Sequence, residues 1–175
     1  MALSPSRYQA LLQSSNPMIS KKEGAIQMDH DRQAPQITLD AFNRLLEETA
    51  PFQRIYGFIT EEIGFGRARA RMPATDDHVR PGGTISGPAQ MALADFTVYA
   101  AVLGAIGNVP LAVTTNLSIN FLHKPRPGDI QAECRLIKLG KRLAVGEVFV
   151  TSQGVEGPIS HATATYSIPP RDPEA

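Results

Sequence analysis

The sequence predicts an α+β domain: a curved antiparallel sheet of about six strands wrapped around one long central helix, with a short helix ahead of it. Three observations lead there. The stretch from about Pro88 to Leu103 is apolar nearly all round when drawn as a helix. It carries Met91, Leu93, Phe96, Val98, Tyr99, Val102, Leu103 and five alanines between positions 89 and 101. Such a helix has to be covered on every side, which a strongly curved sheet and a partner subunit together would do. Two strand-like runs precede the helix and four follow it, separated by Gly- and Pro-rich turns. Finally, 175 residues without an internal repeat suit one domain with a full hydrophobic core.

Taken in order, residues 1–36 are rich in Ser, Gln and Lys, without an acidic group before Glu23, and are expected to be a flexible tail, with a transit peptide as the alternative. The domain is expected to span 37–170, with 171–175 as a second tail. Thr38 is an N-cap candidate, and Leu39, Phe42, Leu45 and Leu46 follow at helical spacing up to Pro51. Ile55–Ile63 and Gly66–Met72 read as strands around a Gly64/Gly66 turn. In the second, Arg67, Arg69 and Arg71 alternate with Ala68, Ala70 and Met72, so one face is polar. Residues 73–84 read as a loop. Ser86 or Gly87 then caps the long helix, Pro88 suits its first turn, and Gly104 and Gly107 end it. The last four strands are expected over Leu111–Leu122, Asp129–Leu139, Leu143–Ser152 and Pro158–Ile168, with Pro169 and Pro170 closing the domain.

Composition narrows the functional classes. Lys plus Arg equal Asp plus Glu at 17 each, without a basic or acidic block, which argues against nucleic acid or an anionic membrane as the main partner. Cys134 is the single cysteine, and His30, His78, His123 and His161 are scattered, so neither a disulfide nor a metal site is expected. The apolar run from Ile85 to Ile106 is broken by Gly87, Gln90, Asp95 and Gly104, and reads as a buried helix rather than a membrane span. No signal-peptide core is present, so a cytoplasmic location is expected.

One residue breaks the pattern. Between Arg80 and Lys124 the single formally charged side chain is Asp95, in the middle of the apolar helix. Met91, Ala92, Val98, Tyr99 and Val102 fall within about 60° of it on the helical wheel. A carboxylate among apolar neighbours is costly unless it is paired or used. It is therefore either a tolerated, hydrogen-bonded group or a general base or nucleophile. Upstream, Thr84-Ile85-Ser86-Gly87-Pro88 leads backbone N–H groups into the positive end of the helix, a place to polarise a carbonyl oxygen, with Ser86 as a further donor. Plain capping explains the same residues without a substrate. Gly87 and Asp95 lie eight residues apart, about 12 Å along one helix. If they act on one carbon, Gly87 of one subunit must meet Asp95 of another across a dimer.

These residues carry a resemblance. His78-Val79-Arg80-Pro81-Gly82-Gly83-Thr84-Ile85-Ser86-Gly87-Pro88 with Ala92-Leu93-Ala94-Asp95 resembles the signature of the PaaI-like hotdog thioesterases. Asn120-Phe121-Leu122 with Pro125 and Gly128-Asp129, then Leu139-Gly140-Lys141-Arg142-Leu143-Ala144, look like its later strand and hairpin. The likeness covers about residues 40–168. It implies a hotdog fold, homodimers and often homotetramers, and hydrolysis of acyl-CoA to free acid and CoA. No cofactor is implied, since coenzyme A is part of the substrate.

In this family Asp95 would be the base or nucleophile and Gly87 N–H the oxyanion donor. Thr114 would orient water or the carboxylate, if it is not an ordinary strand residue. Ser86 stands where the family has His, Pro88 replaces its second Gly, and Arg80 replaces its Asn. Arg80, unless simply solvated, would reach a substrate carboxylate or a CoA phosphate. Lys141 and Arg142 are favoured over Lys138, Lys124 and Arg126 as further phosphate partners. Two alternatives stay open: a non-catalytic acyl-CoA-binding hotdog protein, and a hotdog hydratase or dehydratase, which would need His78 or His123 to reach Asp95.

Overall fold

The structure is a computed structural model, and it describes residues 33–50 and 52–170. The expected tails over 1–36 and 171–175 lie largely outside the described residues. Helix α1 runs Leu39–Thr49. The Thr38 side chain accepts the Ala41 N–H at 3.2 Å and caps it, and Phe42, Leu45 and Leu46 form its buried face. A short helical turn, α2 (Gln53–Tyr56), follows. Here the expected strand over 55–63 is corrected: Gly57, at φ 63°, turns the chain, so strand β1 starts only at Ile59 and runs to Gly64. Strand β2 is Arg67–Met72.

The segment expected to be a loop over 73–84 holds a 3-10 turn (Asp76–His78) and a two-stranded ribbon. The ribbon pairs β3 (Val79–Arg80) with β4 (Thr84–Ile85). Gly82 and Gly83, at φ 96° and 70°, make its turn, and the Ser86 N–H donates to the His78 carbonyl at 2.8 Å, tying the ribbon to the next helix.

Helix α3 runs Gly87–Ile106. Its expected end at Gly104 is also corrected: the helix passes through Gly104 and stops at Gly107, at φ 85°. Gly104 is there for packing, since a Cβ at that position would run into the Gly64 carbonyl oxygen of β1. The Gly104 carbonyl, left over at the helix end, accepts the Gln36 N–H at 2.8 Å.

Strands β5 (Val113–Phe121), β6 (Ile130–Leu139), β7 (Leu143–Ser152) and β8 (Ser160–Ser167) complete one antiparallel sheet in the order β1-β2-β6-β7-β8-β5. The expected six-stranded sheet around one helix is thus what forms. Its concave face is lined by small residues, Ala68, Ala70, Ala132, Cys134, Ala144, Ala162 and Ala164, interspersed with Met72, Ile130, Leu136, Val148 and Val150, all buried. Small side chains let the sheet close tightly: a Cβ on Gly146 would sit 3.0 Å from a Val98 methyl of α3. On the convex face the arginines of β2 pair with carboxylates, Arg69 with Glu61 at 3.2 Å and Arg71 with Asp129 at 2.6 Å.

Helix α3 is long and apolar enough to cross a membrane by length and composition, but most of it is buried against the sheet, as a core helix is. One stripe of it stays uncovered. Pro88 and Met91 are exposed, and Ala92, Asp95 and Tyr99 half-buried, at the i, i+3, i+4 spacing of a single face.

Candidate functional site

Asp95 projects from that uncovered stripe. It is half-buried rather than enclosed, and it is paired. The Thr114 hydroxyl donates to Asp95 Oδ1 at 2.6 Å, and Tyr166 Oη lies 2.9 Å from the same oxygen and 3.1 Å from the Asp95 carbonyl. Thr114 on β5 and Tyr166 on β8 are direct cross-strand partners, so the β5–β8 ladder presents both hydroxyls together. A bulge between Thr114 and Asn116 locally reshapes β5 at this point. Oδ2 accepts no hydrogen bond among the described residues. Burial first, then the Asp95 charge, pushes the Tyr166 hydroxyl well above the ordinary tyrosine range, which keeps it a proton donor.

Behind Asp95 opens a cavity of about 610 Å³. Its wall comes from the end of α1 and from α2 (Leu46, Thr49, Ala50, Phe52, Tyr56), from α3 (Ala92, Phe96, Tyr99) and from the Pro110–Thr114 approach to β5, with Tyr166. Tyr56 is held by parallel stacking on Phe58 at 5.0 Å and on His78 at 5.9 Å. His78 is buried, and neither ring nitrogen has a hydrogen-bond partner. Among the described residues no histidine bonds Asp95; the hydratase reading requires one.

The helix start is elsewhere. Ser86 caps α3, its Oγ accepting the Ala89 N–H at 3.4 Å, so the expected capping role is present whatever else the residue does. Ser86, Gly87 and Pro88 border a second cavity of about 720 Å³, with Arg80, Gln90, Phe121, His123 and Lys124. Among the described residues its charged lining is cationic and contains neither Asp nor Glu. Gly87 lies on the Phe121 ring, where a Cβ would come within 3.1 Å of Cζ. Within one chain, therefore, Asp95 and Gly87 open into different cavities at opposite ends of β5: Asp95 by Thr114, Gly87 by Phe121.

Of the expected phosphate partners, Arg80 joins Gly87 in the second cavity. Lys141 and Arg142 are exposed on the β6–β7 turn and line neither cavity. The Arg142 carbonyl accepts the Ile168 N–H at 3.0 Å, and Leu143 pairs with Ser167, which places the turn at the Asp95 end of the sheet. Sequence reasoning did not single out Tyr166. Its one signal was the alternation of Tyr166 with Ala162 and Ala164 on a single strand face. Among the described residues no three His, Cys, Asp or Glu side chains converge as a metal site would need.

Residues 82–159 match the family model described as Thioesterase superfamily. A candidate esterase of Saccharolobus solfataricus is 30% identical over 114 residues, 65% of this chain and 75% of that protein. The crystal structure of a candidate thioesterase from Silicibacter sp. TM1040 is 43% identical with a TM-score of 0.70, over 78% of this chain and 94% of that one. The phenylacetic acid degradation protein PaaI of Thermus thermophilus, solved as a mutant, shares the fold at 24% identity and a TM-score of 0.61, over 68% of this chain and 99% of its own.

Proposed function

The chain belongs to the thioesterase superfamily and has the hotdog fold, and from that premise we propose that it hydrolyses an acyl-CoA thioester at a site shared between two subunits. The observation that carries this reading is the Asp95 carboxylate in the wall of an apolar cavity, with two hydroxyls holding Oδ1 and with Oδ2 unbonded among the described residues. Such an arrangement orients a base or a nucleophile and leaves one oxygen to react.

The missing half is a backbone donor for the oxyanion, and Gly87 of the same chain opens into another cavity. Strand β5 supplies a way to bring the halves together. Over its nine residues the outer edge pairs with no other strand among the described residues, and Val113, Phe121 and the adjacent Leu122 are exposed. A long, uncovered edge with apolar residues at both ends favours pairing with another strand. Antiparallel pairing of β5 with a second copy about a two-fold near Leu117 brings Thr114 and Asp95 of one subunit toward Phe121 and Gly87 of the other. The uncovered stripe of α3 is covered in the same step. The Lys141-Arg142 turn of one subunit then approaches the cationic cavity of its partner, where Arg80 and Lys124 face the CoA phosphates.

In the composite site Gly87 N–H polarises the thioester carbonyl. A water held by Asp95 Oδ2 attacks the carbon and gives up its proton to that oxygen. The tetrahedral oxyanion rests on Gly87 N–H. The C–S bond then breaks, and the thiolate leaves and takes up the proton. Direct attack by Oδ2, with water cleaving the resulting anhydride, gives the same products. A panel of acyl-CoA thioesters followed by release of free thiol tests the reading; absence of thiol release across the panel refutes it.

A further inference from the structure

We propose that the cavity behind Asp95 is the acyl site and selects an uncharged acyl group of medium length, with Thr49, Ala50 and Phe52 at the α1–α2 junction setting the limit on its size. The proposal rests on the acyl-CoA reading above and names its substrate class. Three features of the wall support it.

The first is charge. Among the described residues no Lys, Arg or His lines the cavity, and the one carboxyl in its wall is that of Asp95. A chain ending in a carboxylate meets repulsion there and finds no cation to offset its desolvation. The cationic cavity at Gly87 is the opposite case, so the two ends of the substrate are told apart by charge.

The second is hydrogen-bonding capacity. Four of the wall hydroxyls are already donating: Thr49 to the Leu45 carbonyl at 2.7 Å, Tyr99 to the Pro110 carbonyl at 3.3 Å, and Thr114 and Tyr166 to Asp95. What remains is mainly hydrocarbon and aromatic surface, which rewards an apolar chain.

The third is size. At roughly 30 Å³ per water-sized group, a space of about 610 Å³ holds some twenty of them. Even halved for its open mouth, it exceeds a two-carbon acyl group several times over. The wall is also fixed: Tyr56 is stacked on Phe58 with an interplanar angle of 4°.

The test separates binding from hydrolysis by using thioethers, which cannot be hydrolysed. Binding of ethyl-CoA, octyl-CoA and 7-carboxyheptyl-CoA to the full chain is measured by calorimetry. The octyl compound is expected to bind about a hundredfold tighter than the ethyl compound, since it buries six more methylenes and about twofold from each, below the roughly fourfold of full burial, gives that ratio. The carboxylated chain should bind at least tenfold more weakly than octyl. Ala50→Phe should cut the octyl-to-ethyl ratio to about threefold. Thr49→Phe, at an exposed position of the same wall and so safer for folding, should lower it in the same direction. Equal affinity for ethyl and octyl, equal affinity for octyl and the carboxylated chain, or an octyl-to-ethyl ratio unchanged in both variants would overturn the proposal. Chain-length selectivity in a protein that hydrolyses no acyl-CoA would uphold the acyl site and refute the hydrolase reading instead.

Discussion

Thr114 Oγ1 sits 2.6 Å from Asp95 Oδ1, joining the edge strand of the sheet to the one charged residue of the core helix. Tyr166, across the ladder from Thr114, reaches the same oxygen. Two donors on one carboxylate oxygen fix its rotation and leave the other free. Asp95→Asn should therefore lower kcat by roughly 100-fold or more, the scale of losing an acid–base group. Thr114→Val and Tyr166→Phe should each lower kcat by about tenfold, with KM changed less, because each removes one positioning bond and leaves the carboxylate in place. Steady-state kinetics on the best acyl-CoA of the panel, with folding checked by circular dichroism, measures all three. Unchanged kcat in both hydroxyl variants would mean that the bonds hold the fold and not the reaction.

Gly104 tests the packing of helix on sheet. Replacing it with alanine in an isolated helix is favourable by about 1 kcal/mol. Here the added methyl meets the Gly64 carbonyl oxygen, a backbone atom that cannot rotate away. Gly104→Ala should destabilise the domain by roughly 1–3 kcal/mol in urea unfolding, as overpacking does. A gain in stability would show that β1 yields easily at the crossing.

Asp129 predicts a pH dependence of stability. The Ala74 N–H bond at 3.0 Å, opposed by partial burial and helped by Arg71 at 2.6 Å, holds its carboxyl below the usual 3.8. A carboxylate with a lowered folded pKa contributes stability that is fully present above its unfolded value and is lost as pH falls through the folded one. Asp129→Asn should thus cost about 1 kcal/mol or less at pH 7, since the pair is half-exposed. The gap between the two proteins should narrow as pH falls below 3.8 and close once pH has passed the lowered folded value. A gap that is the same at pH 7 and pH 2.5 would assign the effect to shape rather than charge.

Much of the fold was legible because its signals are local. The all-round apolarity of α3, the alternating arginines of β2 and the glycine-punctuated hairpins each lie within one segment. Asp95 was legible for the same reason, as the single charge in a long apolar stretch. Thr114 came through family resemblance rather than periodicity. Tyr166 was not legible, because its role depends on a hydrogen bond from a strand to the central helix, between residues 71 positions apart. The α2 turn was missed because Ile55 and Tyr56 look strand-like until Gly57, at positive φ, turns the chain. Gly104 reads as a helix end in the sequence because its reason for being glycine lies on another element.

Whether one active site needs two chains is tested most directly by complementation. Asp95→Asn inactivates one half of the composite site. Gly87→Pro removes the N–H donor of the other half while keeping a residue that suits a first helical turn. Each variant alone should be inactive as a homodimer, with circular dichroism confirming that both are folded. Mixed and allowed to exchange subunits, they form heterodimers in which one site carries both intact groups and its twin carries neither. A shared site predicts recovery of about half the wild-type activity per heterodimer, by the logic of a preorganised donor. Confirmed subunit exchange with no recovery of activity would contradict it.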